Sequence, residues 1–135
     1  LKANGESVAD RLDALARRFG VHLTAPLSFR VADLSLISDA MARLRQHLPA
    51  ALAGVAVQAS DLNDGWNGLP PTDGVLFEGA GVRAVARPSG TEPKLKVYLQ
   101  VNLPPEQSSD LVLARATAAA TMTQLKADMT AALGL

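Results

Sequence analysis

Arg87-Pro88-Ser89-Gly90-Thr91-Glu92-Pro93-Lys94-Leu95-Lys96 gathers anion-binding chemistry into one short stretch. Arg87 carries a forked guanidinium that can hold two oxygens of one phosphate. Ser89 and Thr91 offer hydroxyl donors, and Gly90 lets the backbone come close with its N–H exposed. Pro88 and Pro93 stiffen the two ends, which lowers the ordering cost when an anion docks. Lys94 and Lys96 add positive charge just past the turn. The same composition also suits a plain hairpin turn, because Gly, Pro and Ser are ordinary turn residues.

The flanking elements must position that loop. Val75 to Glu78, Val82 to Arg87 and Leu95 to Val101 have the pattern of successive strands, joined by Gly79-Ala80-Gly81 and by the loop itself, so an antiparallel meander is expected. In the last strand Leu95, Val97, Leu99 and Val101 point one way and Lys96, Tyr98 and Gln100 the other, leaving one face to stay wet or meet a ligand. Upstream, Ser7 and Asp10 suggest a capping box for a helix ending at Gly20, with Val8, Leu12, Leu15, Ala16 and Phe19 at helical spacing. A strand is expected over 27–31. Asp33 or Ser35 then caps a helix with Ile37, Ala40, Met41, Leu44 and Leu48 as its buried stripe and Pro49 as its stop. Val55 to Ala59 forms a further strand, and 61–74 is turn-rich. Ser108 or Ser109 is expected to cap a final helix carrying Leu111, Ala118, Met122, Leu125, Met129 and Leu133 on one side. Two helices on one face of an antiparallel sheet make an α+β, two-layer domain.

Composition narrows the function. The chain has 135 residues, which suffices for one compact core. Its formal net charge is zero, so it lacks the basic excess of a nucleic-acid-binding surface. It has no Cys, which excludes a disulfide framework and a thiol nucleophile and suits a reducing cytosol. No apolar run approaches membrane-spanning length. The start, Leu1-Lys2-Ala3-Asn4, has neither an initiator Met nor the features of a signal peptide, so a piece of a longer protein is expected.

Other groups are weaker candidates. Asp61-Leu62-Asn63-Asp64-Gly65 hints at a cation loop, but the twelfth position is Thr72 where a carboxylate is needed. Ser89 has no sequence-adjacent base to make it a nucleophile, and His22 and His47 have structural roles available. Trp66 offers a ring for a sugar or a cover for an apolar patch. Arg30 and Arg83 either extend the basic surface toward the loop or line the polar face of the sheet, and the sequence favours the second.

The string Arg87 to Pro93 resembles the phosphate-binding loop in the C-terminal domain of the α-D-phosphohexomutases, the phosphoglucomutase and phosphomannomutase relatives. The resemblance continues through Lys94-Leu95-Lys96-Val97-Tyr98-Leu99, reaches back to Leu69-Pro70-Pro71-Thr72-Asp73-Gly74, and spans about residues 22–135 in element order. It implies a TATA-box-binding-protein-like shape without DNA binding. It divides the chain into residues 1–20, a helix linking to or ending a missing preceding domain, and 21–135, the phosphate-binding domain. Carried over by position, Arg87, Ser89, Thr91 and the Gly90 N–H hold substrate phosphate, with Lys96 assisting and Glu92 organising the loop.

The family moves a phosphoryl group within a hexose phosphate, using a phosphoserine, a magnesium ion and a sugar-reading loop in earlier domains. None of those motifs is present. The resemblance therefore implies the phosphate-clamping domain of a cytoplasmic isomerase. Its catalytic residues and metal lie elsewhere, its partners are the hexose phosphate and the preceding domains, and the 135 residues alone should be inactive. The Glu92-Pro93-Lys94-Leu95-Lys96 continuation favours the glucose/mannose enzymes over the glucosamine ones. A stand-alone anion- or phosphosugar-binding module and a purely structural domain are the alternatives.

Overall fold

A computed structural model describes residues 5–135. Helix α1 (Val8–Phe19) opens on a reciprocal capping box. The Ser7 N–H donates to Asp10 at 2.9 Å and the Asp10 N–H to the Ser7 hydroxyl at 3.1 Å. Gly20, at φ 93°, ends it and donates its N–H to the Ala16 carbonyl at 2.8 Å. The chain passes at once into β1 (Val21–Arg30), followed by α2 (Leu34–Gln46), β2 (Ala51–Leu52), β3 (Val55–Asp61), β4 (Val75–Gly79), β5 (Val82–Pro88), β6 (Lys94–Leu103) and α3 (Leu111–Leu133).

Every strand pairing is antiparallel, and the spatial order is β1-β6-β5-β4-β3-β2. One face of this sheet is the core. Phe77, Ala84, Ala86, Leu95, Val97, Leu99 and Val101 are buried there against Met41 and Leu44 of α2 and Met122, Leu125, Met129 and Leu133 of α3. Each large side chain so buried contributes about 1.5–3 kcal/mol of transfer free energy. The two-layer α+β architecture is thus as expected.

Several local expectations need correction. β1 starts six residues before the expected 27, reaching back through Pro26 to Val21. Proline is tolerated because β1 is an edge strand, where one side of the backbone needs no ladder partner. The two-residue strand β2 was not expected. Leu48 lies beyond the end of α2 and is 48% exposed, so it is not part of the buried stripe. The cap of α3 is Asp110, whose carboxylate accepts from the N–H groups of Val112 and Leu113, and not Ser108 or Ser109. Ser108 is buried with its hydroxyl donating to the Pro104 carbonyl at 3.0 Å. On α1, Val8, Leu12, Leu15 and Phe19 stay exposed, and only Ala16 of the expected stripe packs on the core.

Candidate functional site

Among the described residues the second sheet face carries no α-helix, and strand alternation decides which side chains stand on it. Beside the buried residues of β5 and β6, Arg83, Val85 and Arg87 and then Lys96, Tyr98 and Gln100 project to this open face. The even-numbered residues of β1 join them. The register then builds cross-strand rows. Arg87 pairs with Lys96 and Lys96 with Ser28, Val85 pairs with Tyr98 and Tyr98 with Pro26, and Arg83 pairs with Gln100 and Gln100 with Thr24.

The row of Arg87 and Lys96 lies at the sheet end where the 89–93 loop closes. The Ser89 N–H donates to the Lys94 carbonyl at 2.8 Å, the Lys94 N–H to the Glu92 carbonyl at 2.7 Å, and the Val31 N–H to the Pro93 carbonyl at 3.1 Å. The loop is therefore tied at its base to β6 and to the end of β1. Arg30 pairs in register with Lys94 and stands next to this base. Among the described residues, Arg30, Arg87 and Lys96 form no ion pair. These like charges repel one another, and the Glu92 carboxylate nearby is paired with Lys94 and offsets them only in part, so an anion drawn to the row would relieve the remainder.

Lys94 differs. Its ammonium sits 2.8 Å from the Glu92 carboxylate and is mostly covered. This contact holds the Glu92 carboxyl below its usual range, with smaller help from Arg30 and Lys96. Glu92 is thus the loop's internal acceptor, as the sequence suggested, and Lys94 is spent on it.

The remaining loop residues are spread around the turn. Gly90 and Thr91 are exposed at the tip. A Cβ on Gly90 would meet nothing within 4 Å, and its φ is not positive, so neither strain nor crowding in this chain requires glycine there. The opening it leaves is available to an incoming group. Ser89 is half-buried and borders a groove on the helix side, with Ile37 and Met41 of α2. The structure thus brings Arg87 and Lys96 together directly, keeps Ser89, Gly90 and Thr91 contiguous along the loop, and adds Arg30. The sequence offers Arg30 either as an extension of the basic surface or as part of the polar sheet face and favours the second; register with Lys94 puts it on that polar face and also beside the loop base.

Arg87 is braced from behind. Arg45 of α2 donates to Asp61 at 2.8 Å through Nε and to Asp73 at 2.6 Å through a terminal nitrogen. The Arg45 hydrogen bond holds the Asp61 carboxyl below its usual range, and Asp61 foremost, then Asp73, raises the guanidinium. The pinned segment runs on to Gly74, where an added Cβ would lie 3.1 Å from the Ala86 carbonyl and 3.5 Å from the Arg87 Cβ. A side chain at 74 would require the Ala86 carbonyl to give by a few tenths of an ångström, so glycine suits the close approach of 72–74 to the end of β5.

Asp61 is therefore engaged by Arg45 and by the Asn63 N–H at 3.0 Å, not arranged around a cation. Among the described residues no three His, Asp or Glu side chains are grouped to hold a metal, so the magnesium implied by the resemblance finds no ligand set here. Trp66 lies over the Arg83 guanidinium at 5.6 Å, and Arg83 Nε is 3.3 Å from a Glu78 carboxylate oxygen without the alignment for a hydrogen bond. Arg83 is thus committed two rows away from the loop. His22 approaches the Phe19 carbonyl at 3.2 Å, and His47 caps the C-terminus of α2. No helix among the described residues is long and apolar enough to cross a membrane.

Comparison with known proteins identifies the family. Residues 27–118 match the family model described as phosphoglucomutase/phosphomannomutase, C-terminal domain. The chain is 39% identical over 115 residues to a Haemophilus influenzae protein named "Probable phosphomannomutase", covering 84% of this chain and 23% of that protein. It is 31% identical over 120 residues to the phosphoglucomutase of Staphylococcus haemolyticus, covering 76% and 22%. The chain thus spans less than a quarter of the length of these curated relatives. In fold it is similar to the open form of the Paramecium phosphoglucomutase pp63/parafusin, with a TM-score of 0.57 and 18% identity over 99% of this chain and 26% of that one.

Proposed function

Since the chain belongs to the phosphoglucomutase/phosphomannomutase family and matches its C-terminal domain, we propose that it clamps the phosphate of a hexose phosphate that is not being transferred. The observation that carries this reading is the Arg87–Lys96 cross-strand pair on the open sheet face, beside Arg30 and at the sheet end where a loop bearing two hydroxyls closes. Arg87 supplies the bidentate, permanently charged contact. Lys96 and Arg30 supply charge, and Ser89, Thr91 and the Gly90 N–H supply donors to the remaining oxygens.

In this reading residues 21–135 are the phosphate-binding domain and 1–20 the connection to what precedes it. The chemistry takes place on groups outside this chain, in a cytoplasmic isomerase acting on glucose or mannose phosphates. This domain positions the substrate and offsets its charge, which lowers the barrier by holding the reacting ends in place. Any magnesium is held by the preceding domains, and no part of the clamp depends on it.

Phosphate titration of the 135-residue chain by calorimetry tests the clamp. Saturable binding that weakens sharply in Arg87→Ala is expected. Equal binding by the two proteins would remove the basis for the assignment.

A further inference from the structure

We propose that the row next to the basic one is a platform for the sugar ring itself, with Tyr98 as its contact surface, so that this domain reads part of the hexose and not only its phosphate. The proposal rests on the phosphate reading above. Three observations support it.

First, Pro26, Tyr98 and Val85 are cross-strand partners on the open face, one row on from Lys96 and Arg87. Two residues along a strand separate adjacent rows by about 7 Å. A group esterified to a phosphate on the first row is therefore delivered over the second. Second, Tyr98 is 49% exposed although its neighbours Val97 and Leu99 are buried, so its ring is presented to solvent and not packed into the domain. Third, the face here is a groove of about 410 Å³ lined by Thr24, Pro26, Val85, Tyr98 and Gln100 with Arg83 at its far side.

The groove itself is lined by the second and third rows, and the basic row adjoins its loop end; read along the open face from the loop, the chemistry is cationic, then aromatic and aliphatic, then hydroxyl and amide with Arg83 beside them. A hexose phosphate has the same order: an anion, a ring with an apolar C–H face, and hydroxyls beyond it. Tyr98 and Pro26 offer flat apolar surface to the C–H face. Thr24 and Gln100 offer both donors and acceptors to hydroxyls. Inorganic phosphate would use the first row alone.

The test compares ligands on the same chain. The 135-residue protein is titrated with inorganic phosphate, glucose 1-phosphate and mannose 1-phosphate, as wild type, Tyr98→Ala, Tyr98→Phe and Arg87→Ala, with the Tyr98 ring protons followed by NMR. Wild type is expected to bind the hexose phosphates about three- to tenfold tighter than inorganic phosphate, the margin of one aromatic contact. Tyr98→Ala should erase that margin and leave inorganic phosphate affinity unchanged, while Tyr98→Phe keeps it. The Tyr98 resonances should shift with hexose phosphate and stay put with inorganic phosphate. A margin that survives in Tyr98→Ala, or no margin in wild type, overturns the platform while leaving the clamp intact. Inorganic phosphate binding that ignores Arg87→Ala overturns the clamp itself, a separate and recognisable result. Because Tyr98 is half in solvent, loss of the fold does not confuse the comparison, and an unchanged melting temperature confirms this.

Discussion

Arg45 and Asp73 meet at 2.6 Å across 28 residues of chain, and this contact anchors the segment that runs past the Ala86–Arg87 end of β5 at Gly74. The partners are partly exposed, at 28% and 55%, so solvent screens the pair and its direct worth is small. With the second carboxylate, Asp61, included, Arg45→Leu is expected to cost about 1 kcal/mol of stability, measurable in urea melts. It should also weaken phosphate binding, although Arg45 is outside the basic row. Unchanged phosphate affinity in Arg45→Leu would show that the brace does not reach Arg87.

The same network has a pH signature. Asp61 is held below its usual range by the Arg45 hydrogen bond, so its folded-state value is depressed. Its contribution is fully present above the unfolded carboxyl value of about 3.9 and is lost as pH falls through the folded value. The stability gap between wild type and Arg45→Leu should therefore be full at neutral pH and shrink on acidification below about pH 4. Denaturant melts across that range check the sign; a gap that widens on acidification would contradict it.

Within the basic row, Arg87→Ala should lower phosphate affinity by about 1.5–3 kcal/mol, the range for charge-assisted hydrogen bonds. Arg87→Lys should recover charge but not the fork, and Lys96→Ala and Arg30→Ala should each cost less than Arg87→Ala. Calorimetric titration ranks the four. If Lys96→Ala or Arg30→Ala matched Arg87→Ala, bidentate geometry would not be the main term.

Ser89→Ala and Thr91→Ala should each cost about 0.5–1.5 kcal/mol in phosphate affinity, one neutral donor apiece. In the enzyme containing this domain neither should abolish turnover, and Ser89 should carry no phosphate. Mass spectrometry of the working enzyme decides this. A kinetically competent phosphoserine at Ser89 would move the chemistry into this domain.

Glu92→Gln sets two effects against each other. It breaks the 2.8 Å contact to Lys94, and it removes a negative charge that lies among Arg30, Lys94 and Lys96. The loop base is held by backbone hydrogen bonds that the substitution leaves in place. The electrostatic effect should win, raising phosphate affinity about twofold at low salt, with the gain fading as salt screens it. Lower affinity at every salt concentration would mean that the side-chain contact is what shapes the loop.

The most legible parts of the fold were those whose pattern is local. Leu95, Val97, Leu99 and Val101 alternate with polar partners, and the strand and both its faces follow from that alone. The stripe from Leu111 to Leu133 likewise emerges from helical spacing. Less legible was whatever depends on a partner distant in sequence. The first half of β1, Val21 to Pro26, has an interior proline and is a strand because β6 lies beside it over its whole length. Two-residue β2 exists only through Val55 and Ala56. In the site, residue types marked the loop and the family resemblance pointed to Lys96, while the engagement of Lys94 depends on where Glu92 turns. Arg30 enters through register, and Arg45 through a carboxylate 28 residues away.

β1 keeps unbroken register with β6 from Val21↔Leu103 to Arg30↔Lys94, ten pairs without a bulge. It begins one residue after α1 and ends where Val31 holds the loop through Pro93. A strand of that length spans roughly 30 Å. Because β1 is paired with β6 along its whole length, the base of the 89–93 loop is fastened to the sheet at two strands and moves only as the sheet moves, so its place is set by the domain and not by the loop's own residues.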